Sequence, residues 1–221
     1  MDWSLYIGGG VFILLVILGI VWFFVHHKYA SKIYKHHAWK KLYRLSQDRD
    51  YYLLNNVSIK TEAETIHLDH LLVGDKFVYA IATRYYEDNL SGESYSATRW
   101  HIVDKNGLVL REISNPVYYN EARTMVLAKF LGWNDTKAPM FMSIVVINNS
   151  TEIKISDESM NDYSYLIHKK DVAKLIKQIE KNSNCLPFDD QSLNRIINRL
   201  HRISDENNRL EKEERNIKNS Q

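Results

Sequence analysis

The chain has 221 residues, of which 45% are hydrophobic and 25% charged, which fits one folded domain plus an accessory segment rather than two full domains. Its net charge of +2 is too small to indicate nucleic-acid binding by itself, so any basic surface depends on local clustering. Cys185 is the only cysteine, which excludes an intramolecular disulfide and a cysteine-based zinc site.

Residues 1–27 predict a transmembrane anchor. No charged side chain lies from Trp3 to Val25, and about 20 apolar residues in a helix cross the core of a bilayer. A cleaved signal peptide would need a basic start and a shorter apolar stretch. Basic residues follow the segment directly, so we expect a single-pass protein of the cell membrane, with its N-terminus outside and its domain in the cytoplasm. These residues are Lys28, Lys32, Lys35, Lys40, Lys41 and Arg44.

Hydrophobic periodicity predicts alternating helices and strands over residues 28–185, which we interpret as one domain that includes the juxtamembrane helix. Asn115 and Pro116 form a helix start, with the asparagine as N-cap and the proline at the first helical position. The order of elements predicts an α/β or α+β fold. The predicted elements are a helix at 29–47, strands at 51–59, 65–73 and 77–83, a hairpin of 99–103 and 108–113, a helix from 116, a buried strand at 140–147 and a helix around 172–179.

Residues 186–221 form a polar segment with an apolar stripe. The stripe fits the a and d positions of a heptad repeat, which predicts a short coiled coil and a homodimer through this helix. Glu214 falls on the seam and fewer than about four heptads are present, so a surface helix packed on its own domain is an equal alternative. The stripe consists of Leu193, Ile196, Leu200, Ile203, Leu210 and Ile217.

Two strand segments, Leu68–Val73 and Val78–Arg84, carry a resemblance to a known family. Together with further pieces in the same order and spacing, they are similar to the NERD (nuclease-related domain) family of the PD-(D/E)xK nuclease superfamily. The similarity covers roughly residues 38–182 and implies a restriction-endonuclease-like mixed sheet flanked by helices, with a role in DNA processing. The further pieces are Ser91-Gly92, Trp100, Gly107, Asn115-Pro116 and Ser143–Asn148.

The resemblance also implies where the catalytic residues would lie. Hydrolysis on this scaffold needs carboxylates that hold Mg²⁺, and Asp69 takes the first carboxylate position. The next strand usually ends Ile-Glu-Thr-Lys, where this chain has Ile81, Ala82, Thr83 and Arg84. Alanine binds no metal, and an arginine with a pKa above about 12 does not exchange a proton as a tuned lysine does. The Gly-Glu expected near the leading helix is also missing. We therefore predict a degenerate site, at Asp69 and Arg84, in a pseudoenzyme that needs no cofactor and binds nucleic acid or a protein.

A metal-dependent DNase with an altered site is the alternative, and it would use Mg²⁺ or Mn²⁺. His67 shares a strand face with Asp69 at i, i+2, and this pair could hold a transition metal. Read structurally, His67 is instead a hydrogen-bonded strand residue and the nearby acids are solvated charges, which is the interpretation that the sequence favours. The acids that could replace the lost ligands are Glu62, Glu64, Glu87 and Asp88.

Overall fold

The computed structural model of this chain describes most of the predicted domain. The predicted anchor lies outside the described residues, apart from residue 16. Within the described part, no helix is both long and apolar enough to cross a membrane. The described residues are 16, 29–61, 64–133, 140–157, 159 and 161–203.

The described chain folds into a mixed α/β structure, which confirms the predicted class. All the elements predicted for this part are present, and three further strands (β4, β8 and β9) were not predicted. In chain order the elements are α1 (29–49), β1 (Tyr52–Lys60), β2 (Thr65–Val73), β3 (Val78–Arg84), β4 (Asn89–Ser94), β5 (Arg99–Val103), β6 (Val109–Ser114), α2 (Pro116–Phe130), β7 (Phe141–Ile147), β8 (Ile153–Asp157), β9 (Ser164–His168), α3 (Val172–Asn182) and α4 (190–203).

The strands form two mixed sheets, where the sequence predicted one. The first has the order β1-β2-β3-β7-β9, in which β1, β2 and β3 are antiparallel and β3, β7 and β9 are parallel. The second has the order β6-β5-β4-β8, with β4 and β8 parallel. All seven residues of β7 are buried, because this strand lies inside its sheet and is covered on both faces.

Helices cover both faces of the first sheet. Leu71 and Leu72, neighbours in β2, are both fully buried and belong to different core clusters. Leu71 lies in the cluster with Leu127 of α2, and Leu72 in the cluster with Leu42 of α1 and Val172 of α3. Successive strand residues point to opposite faces, so α2 and α4 cover one face while α1 and α3 cover the other.

The predicted start of α2 is confirmed in detail. Asn115 is the N-cap, and its side-chain oxygen accepts hydrogen bonds from the amides of Val117 and Tyr118. Its amide group donates to the carbonyl oxygens of Tyr95 and Ala97, which ties the helix start to the loop after β4. The asparagine cap therefore fixes the helix against the second sheet as well as starting it.

The apolar stripe of the C-terminal segment packs on the domain itself. Ile196, Leu200 and Ile203 in α4 are at most 7% exposed and belong to the same core cluster as Leu71. The described part of the stripe is therefore occupied within the molecule, as in the surface-helix alternative. A homodimer through the rest of the stripe stays a prediction, because residues 204–221 lie outside the described chain.

Candidate functional site

Asp69 lies where the pairing of β2 with β3 ends. The last backbone pair of this ladder is His70 with Ile81. Asp69 is the next residue of β2 beyond the paired part. The Asp69 Oδ2 atom accepts hydrogen bonds from the Thr83 amide at 2.8 Å and from the Thr83 hydroxyl at 3.4 Å. The β3 backbone thus positions the carboxylate directly.

The side chains of β2 switch faces of the sheet between Leu68 and Leu71, the stretch that contains Asp69. Leu68 and Leu71 pack in the same core cluster, although residues three apart in a regular strand face opposite sides. On the neighbouring strand, Asn56 has a φ of 51°, in the left-handed region that asparagine tolerates better than most residues. This local irregularity of β1 and β2 accompanies the placement of Asp69, and strict alternation could not have predicted it.

Two cations bind the Asp69 carboxylate. The Arg84 Nη1 atom lies 2.6 Å from Oδ2, and the Lys35 Nζ atom lies 3.1 Å from Oδ1. Arg84 also donates to the Thr83 carbonyl oxygen at 2.8 Å, which fixes the guanidinium at the end of β3. Asp69 is 20% exposed, Arg84 32% and Lys35 46%, so the cluster lies at the edge of the solvent. Both carboxylate oxygens are occupied, and the three charges sum to one positive charge.

The pKa of Asp69 reflects both its burial and the positive charges beside it. Burial by itself would raise this pKa, but Arg84, the Thr83 amide and Lys35 together outweigh burial and hold the pKa below its usual range. A folded-state pKa below the unfolded value gives stability that is present above about pH 4 and is lost as the pH falls through the folded-state value. The carboxylate is therefore ionised at neutral pH, and its charge is neutralised without a metal.

Replacing Asp69 with asparagine should destabilise the domain, because it leaves two neighbouring cations without their counterion. We expect Asp69→Asn to lower the free energy of unfolding by about 1–2 kcal/mol, measured by urea denaturation at pH 7. The matched control is Glu112→Gln, which removes the acid of an exposed ion pair with Arg99 at 2.7 Å. The control should change stability by less than about 0.5 kcal/mol. Equal effects of the two substitutions would contradict a structural role of the Asp69 cluster.

His70 is a buried neighbour of this cluster that the sequence did not single out. It is 5% exposed, and its Nδ1 atom lies 2.6 Å from the Asn55 Oδ1 atom. Burial lowers the pKa of His70 to about 4; the negative charge of Asp69 opposes burial, and the positive charge of Lys35 adds a smaller effect in the same direction as burial. His70 is therefore neutral at physiological pH.

A pocket of about 310 Å³ opens beside the cluster and is lined by both charged and aromatic groups. Lys35 and Trp39, four residues apart on α1, both line it, since side chains at i, i+4 lie on one helix face. The Trp39 ring is stacked on His36 with centroids 5.4 Å apart and lies 5.5 Å from the Tyr43 ring. A cation and aromatic rings thus lie side by side. The spacing of Lys35 and Trp39 was visible in the sequence, but their position against Asp69 was not.

The other predicted site residues make their contacts with other partners. The His67 Nδ1 atom lies 2.8 Å from the Ser58 hydroxyl. Ala82 is 3% exposed and packs in the apolar cluster between the two sheets. Glu87 and Asp88 line a different pocket, and Glu64 pairs through its backbone with Thr61. Glu62 lies outside the described residues. Among the described residues, no three histidine, cysteine or acidic side chains form a group that could hold a metal ion.

Comparison with known proteins gives one family. The family described as NERD, Nuclease-related domain, matches residues 32–148, which include Asp69 and its neighbours. A crystal structure of a protein of unknown function, AF1548, is similar with 13% sequence identity, 75% of this chain and 77% of that chain covered, and a TM-score of 0.32. No curated protein matches the chain.

Proposed function

The chain belongs to the nuclease-related domain family, and we propose that it binds nucleic acid through the backbone phosphates without cleaving it. The observation that carries this proposal is the occupation of both Asp69 carboxylate oxygens by Arg84 and Lys35. A carboxylate in this state is a poor ligand for Mg²⁺, which needs several oxygen ligands in octahedral geometry. Ala82, in the position of the second carboxylate, supplies none.

The same arrangement favours a phosphate. Arg84 presents a planar guanidinium that can donate two parallel hydrogen bonds to phosphate oxygens. Lys35 adds a second positive charge, and the cluster keeps one positive charge after Asp69 is counted. Trp39 and His36 lie beside it, and aromatic rings next to a basic groove are typical of proteins that bind single-stranded nucleic acid by stacking. These features support an anion site with an adjacent stacking surface, at the place where the family has its metal.

We further propose that residues 1–27 anchor the domain in the cell membrane, with the domain on the cytoplasmic side. The support comes from the sequence alone, from the uncharged stretch Trp3–Val25 and the basic residues that follow it. The anchor would restrict the domain to nucleic acid or proteins close to the bilayer.

Binding and cleavage assays on the full chain in lipid nanodiscs distinguish nucleic-acid binding without cleavage from metal-dependent DNase activity. The non-catalytic function predicts that Asp69→Asn binds a single-stranded oligonucleotide as tightly as the parent chain or up to about tenfold tighter, because the substitution removes a negative charge near the phosphate. It also predicts no cleavage with Mg²⁺ or Mn²⁺. A DNase with an altered site predicts cleavage that Asp69→Asn abolishes, and that result would reject the proposal.

A further inference from the structure

The β5–β6 hairpin presents three consecutive apolar side chains to the solvent. Leu108, Val109 and Leu110 are 67%, 55% and 50% exposed. Single exposed apolar residues are ordinary on protein surfaces, whereas a continuous exposed run marks an interaction surface. The run lies at the tip of the hairpin and on β6, an edge strand of the second sheet.

The backbone holds these side chains outward. The Asp104 carboxylate accepts hydrogen bonds from the amides of Asn106 and Leu108, both at 2.8 Å. Gly107 has a φ of +86°, with open space around it. The register shifts between Ile102 and Val103, so Leu110 is an extra residue of a β-bulge. The tip is therefore a turn whose backbone is held by hydrogen bonds to the Asp104 side chain.

This tip lies beside the start of α1. Leu110 and Arg111 line a pocket of about 330 Å³ together with Ser31. Ser31 is six residues beyond Val25, the last residue of the uncharged stretch, and six residues span about 9 Å as a helix and about 20 Å when extended. The interfacial zone of a bilayer is about 5–8 Å thick on each side of the hydrocarbon core. In a helix, Ser31 would lie only about 1–4 Å outside this zone, so the hairpin residues beside it are close to the headgroups.

The neighbouring surface of α1 has the composition of a membrane interface. Tyr29 and Ile33 are 42% and 48% exposed, and the Lys32 Nζ atom lies 5.7 Å from the centroid of the Tyr29 ring. Tyrosine rings and lysines are the side chains that settle at the level of the lipid headgroups.

We propose that the hairpin tip, residues 108–110, inserts into the interfacial zone of the bilayer and holds the domain against the membrane at a second point. This inference rests on the membrane anchor proposed above. A second copy of the chain, added along β6, is the other candidate occupant. It is disfavoured because a bulge and charged residues, here Arg111 and Glu112, are features that protect an edge strand from pairing with another chain.

Fluorescence quenching by lipid tests the proposal on the full chain in nanodiscs. In a Cys185→Ser background, Leu108→Cys carries an environment-sensitive fluorophore, and the lipids carry a nitroxide at carbon 5 of one acyl chain. The matched control is Leu186→Cys, another exposed leucine at 83%. It lies near the far end of α1, because the Phe188 amide donates to the Asp75 carbonyl oxygen and Asp75 lines a pocket with Arg49. We expect at least twofold stronger quenching at position 108 than at position 186.

A third label, at Leu14→Cys inside the proposed span, distinguishes failure of the hairpin contact from failure of the anchor. Strong quenching at 14 with equal quenching at 108 and 186 would overturn the hairpin contact and leave the anchor in place. No quenching at 14 would overturn both. Protection of position 108 from aqueous iodide without lipid quenching would identify a second copy as the occupant. Hydrogen exchange of the unsubstituted chain provides a label-free check, in which residues 105–111 should exchange more slowly in nanodiscs than in detergent, and unchanged exchange would count against insertion.

Discussion

Lowering the pH from 7 to about 4.5 is expected to destabilise the domain by about 2–3 kcal/mol through His70 alone. The unfolded chain takes up a proton on this residue near pH 6.5, whereas burial holds the folded-state pKa at about 4. Between these two values the unfolded state binds the proton and the folded state does not. Stability is therefore full above about pH 6.5 and falls as the pH decreases toward about 4.

Urea denaturation of the full chain in detergent, at pH 7 and at pH 4.5, measures this effect. In His70→Gln the loss between the two pH values should shrink by about 2–3 kcal/mol, because glutamine takes up no proton. The matched control, His37→Gln, replaces an exposed histidine of α1 and should leave the loss unchanged. The effect of Asp69 does not interfere, since its lowered pKa acts only below about pH 4. An unchanged pH dependence in His70→Gln would contradict burial of a neutral histidine beside the site.

Replacing Arg84 with alanine is expected to weaken nucleic-acid binding by about ten- to a hundredfold, or about 1–3 kcal/mol. The guanidinium is the group best placed for a phosphate, because the Thr83 carbonyl and Asp69 already fix its position. Its loss should also reduce the slope of log affinity against log salt by about 0.7 for a single-stranded oligonucleotide, since one phosphate contact disappears. Fluorescence anisotropy at several salt concentrations gives both quantities.

The control for this prediction is Arg99→Ala. Arg99 also forms an ion pair with an acid, Glu112, at 2.7 Å, but it lies on the second sheet and its side chain is 63% exposed. Its substitution should change the affinity less than about twofold and leave the salt slope unchanged. Comparable losses in the two variants would indicate general electrostatic attraction instead of a site at Arg84.

The sequence predicted the elements with clear periodicity and missed those without it. The continuous apolar run of β7 and the asparagine cap of α2 both have strong local signals, and both predictions are confirmed. The strand β4 carries one large apolar residue, Leu90, and the alternation of β8 covers only the four residues from Ile153 to Ser156. They become strands by pairing with each other and with β5, which is a tertiary effect that a local pattern does not contain.

The candidate site was predicted in part. The hairpin resemblance placed Asp69 and Arg84 at adjacent strands, and the structure brings their side chains into contact. Lys35 and Trp39 were missed as site residues because they lie 30 or more residues before Asp69, in the juxtamembrane helix, which was interpreted through membrane topology. The burial of His70 was also not predicted, because it depends on the point at which the side chains of β2 switch from one face of the sheet to the other. The absence of a carboxylate at Ala82 was read directly from the sequence.

Calorimetric titration of Mn²⁺ into the full chain at pH 7 tests most directly whether the Asp69 carboxylate binds Arg84 and Lys35 instead of a metal ion. The parent chain and Asp69→Asn should give the same small heats, with no saturable site tighter than about 1 mM, because the carboxylate oxygens already have cationic partners. A saturable site of micromolar affinity that disappears in Asp69→Asn would show that the carboxylate binds metal, and it would contradict the non-catalytic function.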